Sequence, residues 1–225
     1  MKRAVIFDLD GTLLNSLGDL TSAANAAMRS HGFPEHSLEN VRRFVGNGVP
    51  MLIHRAVPEG TSPEEEARCL SEFRSYYSEH MVDQTVPYPG ILALLEELKE
   101  RGFLLAVVSN KFELLVQKLC RHLLFGCLDA AVGDREGFQK KPAPDNLLRC
   151  MDLLQVKPEE VIYVGDSPTD IETAENTGVD FIGVLWGFRD EWEMREATTA
   201  PMAKTAEELK SLIVDFQEGR KDSGQ

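Results

Sequence analysis

The sequence predicts an α/β protein built around an open parallel sheet, and two observations support this fold class. Short runs rich in β-branched and aromatic residues are apolar at every position, as in strands that helices cover on both faces. Segments with an apolar residue every three or four positions lie between them and predict amphipathic helices. Strand–helix–strand repetition implies right-handed crossovers. The predicted strands are 4–7, 103–108, 161–164 and 181–184.

Helical spacing predicts the helices that accompany this sheet. Gly102 ends the first of them, and Thr205 with Glu208 has the spacing of a capping box at the start of the last. The polar tail 219–225 is expected to fray. The apolar stripes are Ile91, Leu94, Leu95 and Leu98; Leu115, Leu119 and Leu123; Leu147, Leu148, Met151 and Leu154; and Leu209, Leu212, Ile213 and Phe216.

Residues 16–85 interrupt the alternation, because they show helical patterns and no convincing strand. Ser62 followed by Pro63 and three glutamates has the composition of a helix start. A connection of this length is too long for one strand–helix crossover. We therefore expect residues 1–15 and 86–225 to form one domain and residues 16–85 to form a helical domain inserted after the first strand. The apolar face that begins this insertion is Leu17, Leu20, Ala24, Ala27 and Met28.

Charge and cysteine content restrict the function classes. Lys and Arg total 24 against 37 Asp and Glu, a formal charge of −13, which disfavours binding to nucleic acid or to an anionic membrane surface. The longest apolar runs are far shorter than the ~20 residues of a membrane span. The apolar run after Arg3 breaks at Asp8, too early for a signal peptide. The four cysteines form no CxxC pair, so we expect a cytoplasmic protein with reduced thiols.

Polar residues follow the predicted strands at the sheet edge where open α/β proteins bind ligands. Carboxylates crowded together repel one another unless a cation compensates them, which implies a divalent metal. The three acids Asp8, Asp10 and Asp166, with few other protein ligands, suit Mg²⁺, because this ion keeps waters and shares substrate phosphate oxygens. The residues are Asp8, Asp10 and Thr12 after the first strand; Ser109 and Asn110 after the second; Lys141 in a loop; and Asp166 and Asp170 after the third.

Each of these residues also has a purely structural explanation. Asp10 with Gly11 is a common turn pair, Asp170 suits the first turn of a helix, and Lys141 could be a solvated surface lysine. The ordered combination at several strand ends favours a chemical role over these separate explanations.

The motifs resemble, in order, those of the haloacid dehalogenase superfamily, and the resemblance covers essentially the whole chain. Within that superfamily further segments are similar to the phosphoglycolate phosphatase group. The resemblance implies a Rossmann-like core with a helical cap inserted after the first motif. Asn15 is a departure, since relatives often carry Asp there. The superfamily motifs are Asp8-Leu9-Asp10-Gly11-Thr12, Ser109, Lys141-Pro142 and Gly165-Asp166-Ser167-Pro168-Thr169-Asp170; the group's are Asn47, Ser109-Asn110-Lys111, Lys141-Pro142-Ala143-Pro144 and Gly183-Val184-Leu185-Trp186-Gly187.

The resemblance implies a phosphatase mechanism with a role for each matched residue. Asp8 is the implied nucleophile, which forms an aspartyl-phosphate, and Asp10 is the implied acid and base for the leaving alcohol and the water. The implied Mg²⁺ ligands are the carboxylates of Asp8 and Asp166 and the backbone carbonyl of Asp10.

The remaining matched residues act on the phosphoryl group or on one another. Ser109 and the Asn110 backbone N–H are implied to bind the phosphoryl oxygens, and Lys141 to neutralise charge. Asp170 either lies at the edge of the metal or orients Lys141, and Thr12 is expected to contact the substrate.

Two sequence features bear on the reaction and its substrate. Asp10 favours a phosphatase over a dehalogenase, because a departing alkoxide needs a proton and a halide does not. Asn47 and Gly48 precede a predicted helix whose free N–H groups can hold a carboxylate, with Arg43 and Arg55 near them in sequence. We therefore expect a small phosphorylated metabolite, with phosphoglycolate the leading candidate; the same segment could equally be a flexible turn with solvated arginines.

Other functions on the same scaffold stay open. An inorganic pyrophosphatase or a sugar phosphomutase would use the same motifs, and the intact set of acids, serine and lysine speaks against a non-catalytic binding protein. We expect a monomer or a homodimer.

Overall fold

The structure, a computed structural model, describes residues 1–218, and it confirms a parallel α/β core with an inserted helical segment. The chain forms two compact units, one of Met1–Leu13 and the chain from Pro87, the other of Leu14–Val86. The expectation for residues 219–225 lies outside the described part of the chain. Within residues 1–218, no helix has both the length and the apolar character needed to cross a membrane.

The first unit contains a six-stranded sheet in which every pairing is parallel. The described strands are β1 (Ala4–Phe7), β2 (Leu14–Asn15), β3 (Val86–Pro87), β4 (Leu104–Phe112), β5 (Ala130–Asp134), β6 (Val161–Gly165), β7 (Asp180–Val184) and β8 (Met202–Ala203). The sheet order is β5-β4-β1-β6-β7-β8, while β2 and β3 form a separate two-stranded sheet. The chain therefore builds outward from β1 on both sides, which makes β1 and its neighbours the point where the strand order reverses.

Helices connect the strands of the first unit and form most of the second. The described helices are α1 (Leu17–Ser30), α2 (Leu38–Phe44), α3 (Val49–Ala56), α4 (Pro63–His80), α5 (Ile91–Glu100), α6 (Glu113–Leu123), α7 (Asp145–Leu154), α8 (Pro168–Thr177), α9 (Glu191–Ala197) and α10 (Ala206–Glu218). The first four belong to the helical unit. At the start of α4 the Ser62 hydroxyl accepts a hydrogen bond from the Glu65 N–H at 3.2 Å, as the sequence pattern predicts.

The helical unit has a buried carboxylate that links the beginning of its chain to the end. Asp19 of α1 accepts hydrogen bonds from the backbone N–H of Gln84 at 3.0 Å, the backbone N–H of Thr85 at 2.9 Å and the Thr85 hydroxyl at 2.6 Å. Because a buried carboxylate is stable only when hydrogen-bonded, this arrangement fixes the last residues of the unit against its first helix.

Two predicted apolar stripes differ from the buried faces that the structure shows. Leu148 is 42% exposed, because it lies beside rather than on the face of α7 that covers the sheet. In α6 the buried residues are Val116, Leu119 and Cys120, which confirms Leu119, whereas the predicted Leu115 and Leu123 are only half-buried. The sequence contains apolar residues on both sides of these faces, so spacing alone does not locate the centre of the stripe.

The structure also contains strands that the sequence analysis misses. β5 reads Ala-Ala-Val-Gly-Asp and so lacks the β-branched run that identifies the other strands. β8 is only two residues long and lies at the opposite edge of the sheet. Both are edge strands. Because edge strands are less buried, their apolar pattern is weaker.

The prediction that Ser109 and Asn110 follow their strand is wrong, because β4 continues to Phe112. The pairing of β4 with β5 shifts register between Val108 and Phe112, which marks a bulge or irregularity there. A bulge changes the directions of successive side chains. Ser109, Asn110 and Lys111 are all buried, as are the four residues before them in β4.

Candidate active site

The predicted site residues of the first unit converge at the carboxyl ends of β1, β4 and β6, which are neighbours in the sheet. Asp8 follows β1 and Asp166 follows β6, while Ser109 lies near the end of β4. Phe7 is aligned with Val107 of β4 and with Val164 of β6, so the site residues that follow these three positions lie at the same level of the sheet. This is the point where the strand order reverses, and open α/β sheets bind ligands there.

Lys141 is the centre of the polar network at this edge. Its Nζ atom donates to Oδ1 of Asp8 and to Oδ1 of Asp170, each at 2.7 Å, and it lies 3.0 Å from the hydroxyl oxygen of Tyr163. The Lys141 side chain is only 4% exposed. A lysine this deeply buried needs compensating charge, and two carboxylates supply it.

Asn110 fixes the backbone of Lys141. Its amide nitrogen donates to the Lys141 carbonyl at 3.0 Å, and its side-chain oxygen accepts from the Lys141 N–H at 2.8 Å. The peptide bond between Lys141 and Pro142 is cis. The strand end of β4 thus determines where the loop before α7 presents its lysine.

Three side chains donate hydrogen bonds to Asp170. Its Oδ1 accepts from Lys141 and also from the Tyr163 hydroxyl at 2.9 Å, and its Oδ2 accepts from the Ser167 hydroxyl at 2.6 Å. The residue is fully buried at the start of α8. Its position therefore gives Lys141 a fixed counter-charge within the protein.

Three carboxylates form an acidic cluster. Asp8, Asp166 and Asp170 each offer an oxygen, and these atoms all lie within 4.8 Å of one another. Asp166 is held in place by the Thr12 hydroxyl, which donates to its Oδ1 at 3.2 Å, and by the backbone N–H of Phe188, which donates to its Oδ2 at 2.7 Å.

Burial and mutual repulsion raise the pKa values of carboxyl groups in this cluster. Burial, together with the neighbouring Asp170 and Asp166 carboxylates, raises the pKa of Asp8 well above its usual value despite the opposing charge of Lys141. Burial and Asp170 raise the pKa of Asp166 to about 7, against the Phe188 N–H and Arg189. Burial alone would lower the pKa of Lys141, but Asp170 and Asp8 outweigh it and raise that pKa, so this lysine stays charged.

The residues present fit a divalent cation. The cluster offers carboxylate oxygens, which are the ligands that Mg²⁺ prefers, and a cation beside them would stabilise the ionised forms that burial and mutual repulsion disfavour. Gly11 and Gly187 border the Asp166 carboxylate so closely that a Cβ atom at either position would overlap it. Neither position therefore accommodates a side chain beside this carboxylate.

Asp10 lies at the same edge, with a lysine as its partner. Nζ of Lys111 donates to Oδ1 of Asp10 at 2.7 Å. The Ser109 hydroxyl oxygen accepts from the Lys111 N–H at 3.2 Å. The fully buried Thr12 supports Asp166, and its expected contact with substrate stays a prediction.

The sequence analysis gives no role to three partners in this network. Lys111 belongs to a recognised segment but carries no assigned function in it. Tyr163 lies inside an apolar strand, where nothing in the pattern distinguishes a tyrosine with a hydrogen-bonded hydroxyl from one that only packs. Phe188 contributes its backbone N–H, and backbone donors leave no trace in a sequence.

The residues predicted to recognise the substrate lie in the helical unit. Asn47 accepts a hydrogen bond from Arg55 Nη2 at 2.9 Å, and Arg55 Nη1 donates to the Phe44 carbonyl at 2.8 Å. Gly48 precedes α3 with a φ of +83°, a conformation that favours glycine. Arg43 pairs with Glu39 at 3.1 Å. The role of Asn47 and Gly48 in binding stays a prediction.

Comparison with known proteins identifies the class of enzyme. Residues 5–184 match the haloacid dehalogenase-like hydrolase family. A phosphoglycolate phosphatase of Aquifex aeolicus is 37% identical over 187 residues, which cover 83% of this chain and 86% of that protein. A phosphoglycolate phosphatase of Chromobacterium violaceum is 37% identical over 194 residues, covering 84% and 87%. A solved structure from Lactobacillus delbrueckii subsp. bulgaricus superposes with a TM-score of 0.90 at 37% identity, over 95% of this chain and 99% of that one.

The chain therefore belongs to the haloacid dehalogenase-like hydrolase family. Within that family it is a phosphatase similar to phosphoglycolate phosphatases, as the motifs predict.

Proposed function

We propose that this phosphatase hydrolyses the monoester of a small phosphorylated metabolite through an aspartyl-phosphate on Asp8. The observation that carries the proposal is the position of Asp8 just after β1, where it pairs with Lys141 and belongs to the acidic cluster. A nucleophilic carboxylate needs neighbouring positive charge to approach an anionic phosphate, and Lys141 supplies it.

The first step forms the intermediate. An oxygen of the Asp8 carboxylate attacks phosphorus, and the bond from phosphorus to the ester oxygen breaks on the opposite side. The Asp10 carboxylic acid gives its proton to the departing oxygen, which leaves as an alcohol. Ser109 and the Asn110 N–H bind the phosphoryl oxygens during the transfer.

The second step releases phosphate. A water molecule attacks the phosphorus of the aspartyl-phosphate, and the Asp10 carboxylate, ionised by the first step, accepts the proton of that water. The bond from phosphorus to the Asp8 oxygen breaks, which regenerates the Asp8 carboxylate and the Asp10 acid. The two steps thus need one nucleophile and one group that acts first as acid and then as base.

Mg²⁺ is the proposed cofactor, held by the carboxylates of Asp8 and Asp166 and the backbone carbonyl of Asp10. When bound, the ion supplies positive charge that allows the carboxylates to be ionised together beside the phosphate. Asp170 is proposed to orient Lys141, because its Oδ1 accepts directly from Nζ of that lysine and its Oδ2 accepts from the Ser167 hydroxyl.

Phosphoglycolate is the proposed substrate. Support comes from the relatives that carry this activity in their names and from the Asn47-Gly48 segment at the start of α3, whose N–H groups suit a carboxylate. The formal charge of −13 and the free cysteines agree with a cytoplasmic enzyme of metabolites rather than a protein that binds nucleic acid or membranes. The helical unit is proposed to be the cap, and the enzyme to be a monomer or a homodimer.

A panel of phosphorylated compounds with Mg²⁺ tests the substrate. We expect kcat/KM for phosphoglycolate to exceed that for uncharged sugar phosphates by about tenfold or more, because pairing of a carboxylate contributes about 1.5–3 kcal/mol. Equal values for both would remove phosphoglycolate from the proposal. Preferred hydrolysis of pyrophosphate, or isomerisation of a sugar phosphate, would show one of the other functions of this scaffold.

A further inference from the structure

Lys111 is a buried charged residue at the edge of the site. Its Nζ atom donates to Oδ1 of Asp10 at 2.7 Å. The Lys111 side chain is 4% exposed and the Asp10 side chain 14%. The lysine therefore approaches Asp10 from the protein interior, and the carboxyl group is the more accessible member of the pair.

The fold gives Lys111 this direction through the irregular end of β4. The register of β4 against β5 shifts between Val108 and Phe112, and the Lys111 N–H donates to the Ser109 hydroxyl instead of continuing the regular pattern. Asn110, the residue between them, fixes the backbone of Lys141. Consecutive residues of one strand end thus hold two different parts of the site.

We propose that Lys111 is a positioning residue that holds the Asp10 carboxyl group for proton transfer to the leaving oxygen. This inference rests on the proposed function. A short aspartate side chain that must first give and then take a proton needs a fixed orientation, and a misplacement of about 1 Å can reduce a rate by about 10². Lys111 donates to the carboxyl group and keeps its own protons throughout.

The partner of Lys111 separates its role from that of Lys141. Both lysines are equally buried, but Lys111 contacts Asp10, whereas Lys141 contacts the nucleophile Asp8. Loss of Lys111 should therefore lower kcat/KM only for esters whose leaving group needs the proton of Asp10. Esters whose alcohol is a poor leaving group need this proton, whereas esters whose leaving group is a stable anion do not.

The test compares two substrates of the same enzyme sample. In Lys111→Met, kcat/KM for an alkyl phosphate such as phosphoglycolate should fall by about 10², and kcat/KM for p-nitrophenyl phosphate by less than about fivefold. For either substrate, kcat/KM reports the steps up to release of the leaving group. The ratio of the two substrates is independent of the fraction of folded protein, so partial unfolding cannot produce the result. Lys111→Arg, which keeps a donor, should recover part of the loss.

Two further variants complete the experiment. Lys99→Met is the matched control, because Lys99 makes an ion pair of the same length, 2.7 Å, with Asp129 outside the site and should leave both constants unchanged. In an Asp10→Asn background, Lys111→Met should add less than about threefold, because residues that act as one unit are not additive.

The outcomes that would overturn the inference are distinct from those that concern the proposed function. An equal loss for both substrates in Lys111→Met, or a full additional loss in the Asp10→Asn background, would overturn the role of Lys111. Failure of the unmodified enzyme to hydrolyse either ester would overturn the proposed function instead.

Discussion

Lys141 and Asp8 form a buried ion pair, with Nζ of the lysine 2.7 Å from Oδ1 of the aspartate. The same nitrogen lies 2.7 Å from Oδ1 of Asp170, so one positive charge is shared between two carboxylates. Asp170 is enclosed by hydrogen-bonding groups of the protein, whereas Asp8 follows directly after the central strand at the ligand-binding edge. The arrangement distinguishes a carboxylate that supports the lysine from one that can react.

Replacement of Asp8 by asparagine tests its role as nucleophile. We expect Asp8→Asn to lower kcat by about 10³ or more, because an amide cannot form the covalent intermediate. Steady-state kinetics with Mg²⁺ provide the measurement, and thermal unfolding of the variant shows that it is folded. Asp83→Asn, which changes an exposed aspartate of the helical unit, should leave the rate unchanged. A near-normal rate in Asp8→Asn would contradict the mechanism.

Removal of divalent cations tests the cofactor. A chelator should abolish phosphatase activity, and excess Mg²⁺ should restore it, since the acidic cluster lacks enough positive charge of its own. Mg²⁺ should also raise the melting temperature, because a ligand that binds only the folded state stabilises it by about 2.7 kcal/mol at 100 times its Kd. Full activity in the presence of chelator would exclude the metal from the reaction.

The raised pKa of Asp166 predicts how stability depends on pH in the metal-free protein. Its pKa is about 7 in the folded state against 3.8 for an unperturbed aspartate. The folded state binds this proton more tightly, so the contribution to stability is fully present below pH 3.8 and is lost as the pH rises through about 7.

Asp166→Asn should remove most of this dependence. The metal-free variant should be more stable than the metal-free parent at pH 8, because the amide carries no charge to bury. Urea unfolding at several pH values measures the difference. Mg²⁺ should no longer stabilise the variant, and an identical pH profile for both proteins would contradict this account of Asp166.

Gly11 provides a steric test of the Asp166 carboxylate. A Cβ atom at Gly11 would overlap that carboxylate, and the φ of +93° adds backbone strain. Gly102 has a similar φ of +84° but no atom within 4 Å of the added Cβ, so Gly102→Ala is a control for strain alone. Gly11→Ala should lose Mg²⁺-dependent activity by about 10² or more, whereas Gly102→Ala should lose only stability, by about 1 kcal/mol. Similar activities in the two variants would contradict the prediction.

The sequence predicts the central part of this fold because burial on both faces leaves an uninterrupted apolar run. β1 is buried at every position and is predicted with its observed bounds. β5 is missed because an edge strand of alanine and glycine lacks that pattern. The end of β4 is misplaced because a register shift depends on the neighbouring strand, and local sequence does not report it.

For the site as well, the sequence locates some residues, but it does not show which side chains contact one another. The acids and Lys141 can be located from sequence because each follows a strand or lies in a loop that leads to the ligand-binding edge. The pairings of Lys111 with Asp10 and of Tyr163 with Asp170 join a strand residue to a residue outside that strand, and only the folded chain shows which partner each side chain reaches.

The most direct test of the mechanism is to trap the phosphorylated enzyme. Acid quenching during turnover of phosphoglycolate with Mg²⁺, followed by mass spectrometry of the peptides, should find a phosphoryl group on Asp8 that is lost at alkaline pH. Asp8→Asn should yield no such peptide. Turnover without any phosphorylated peptide in the first milliseconds, or a phosphoryl group on a different residue, would contradict the assignment of Asp8 as the nucleophile.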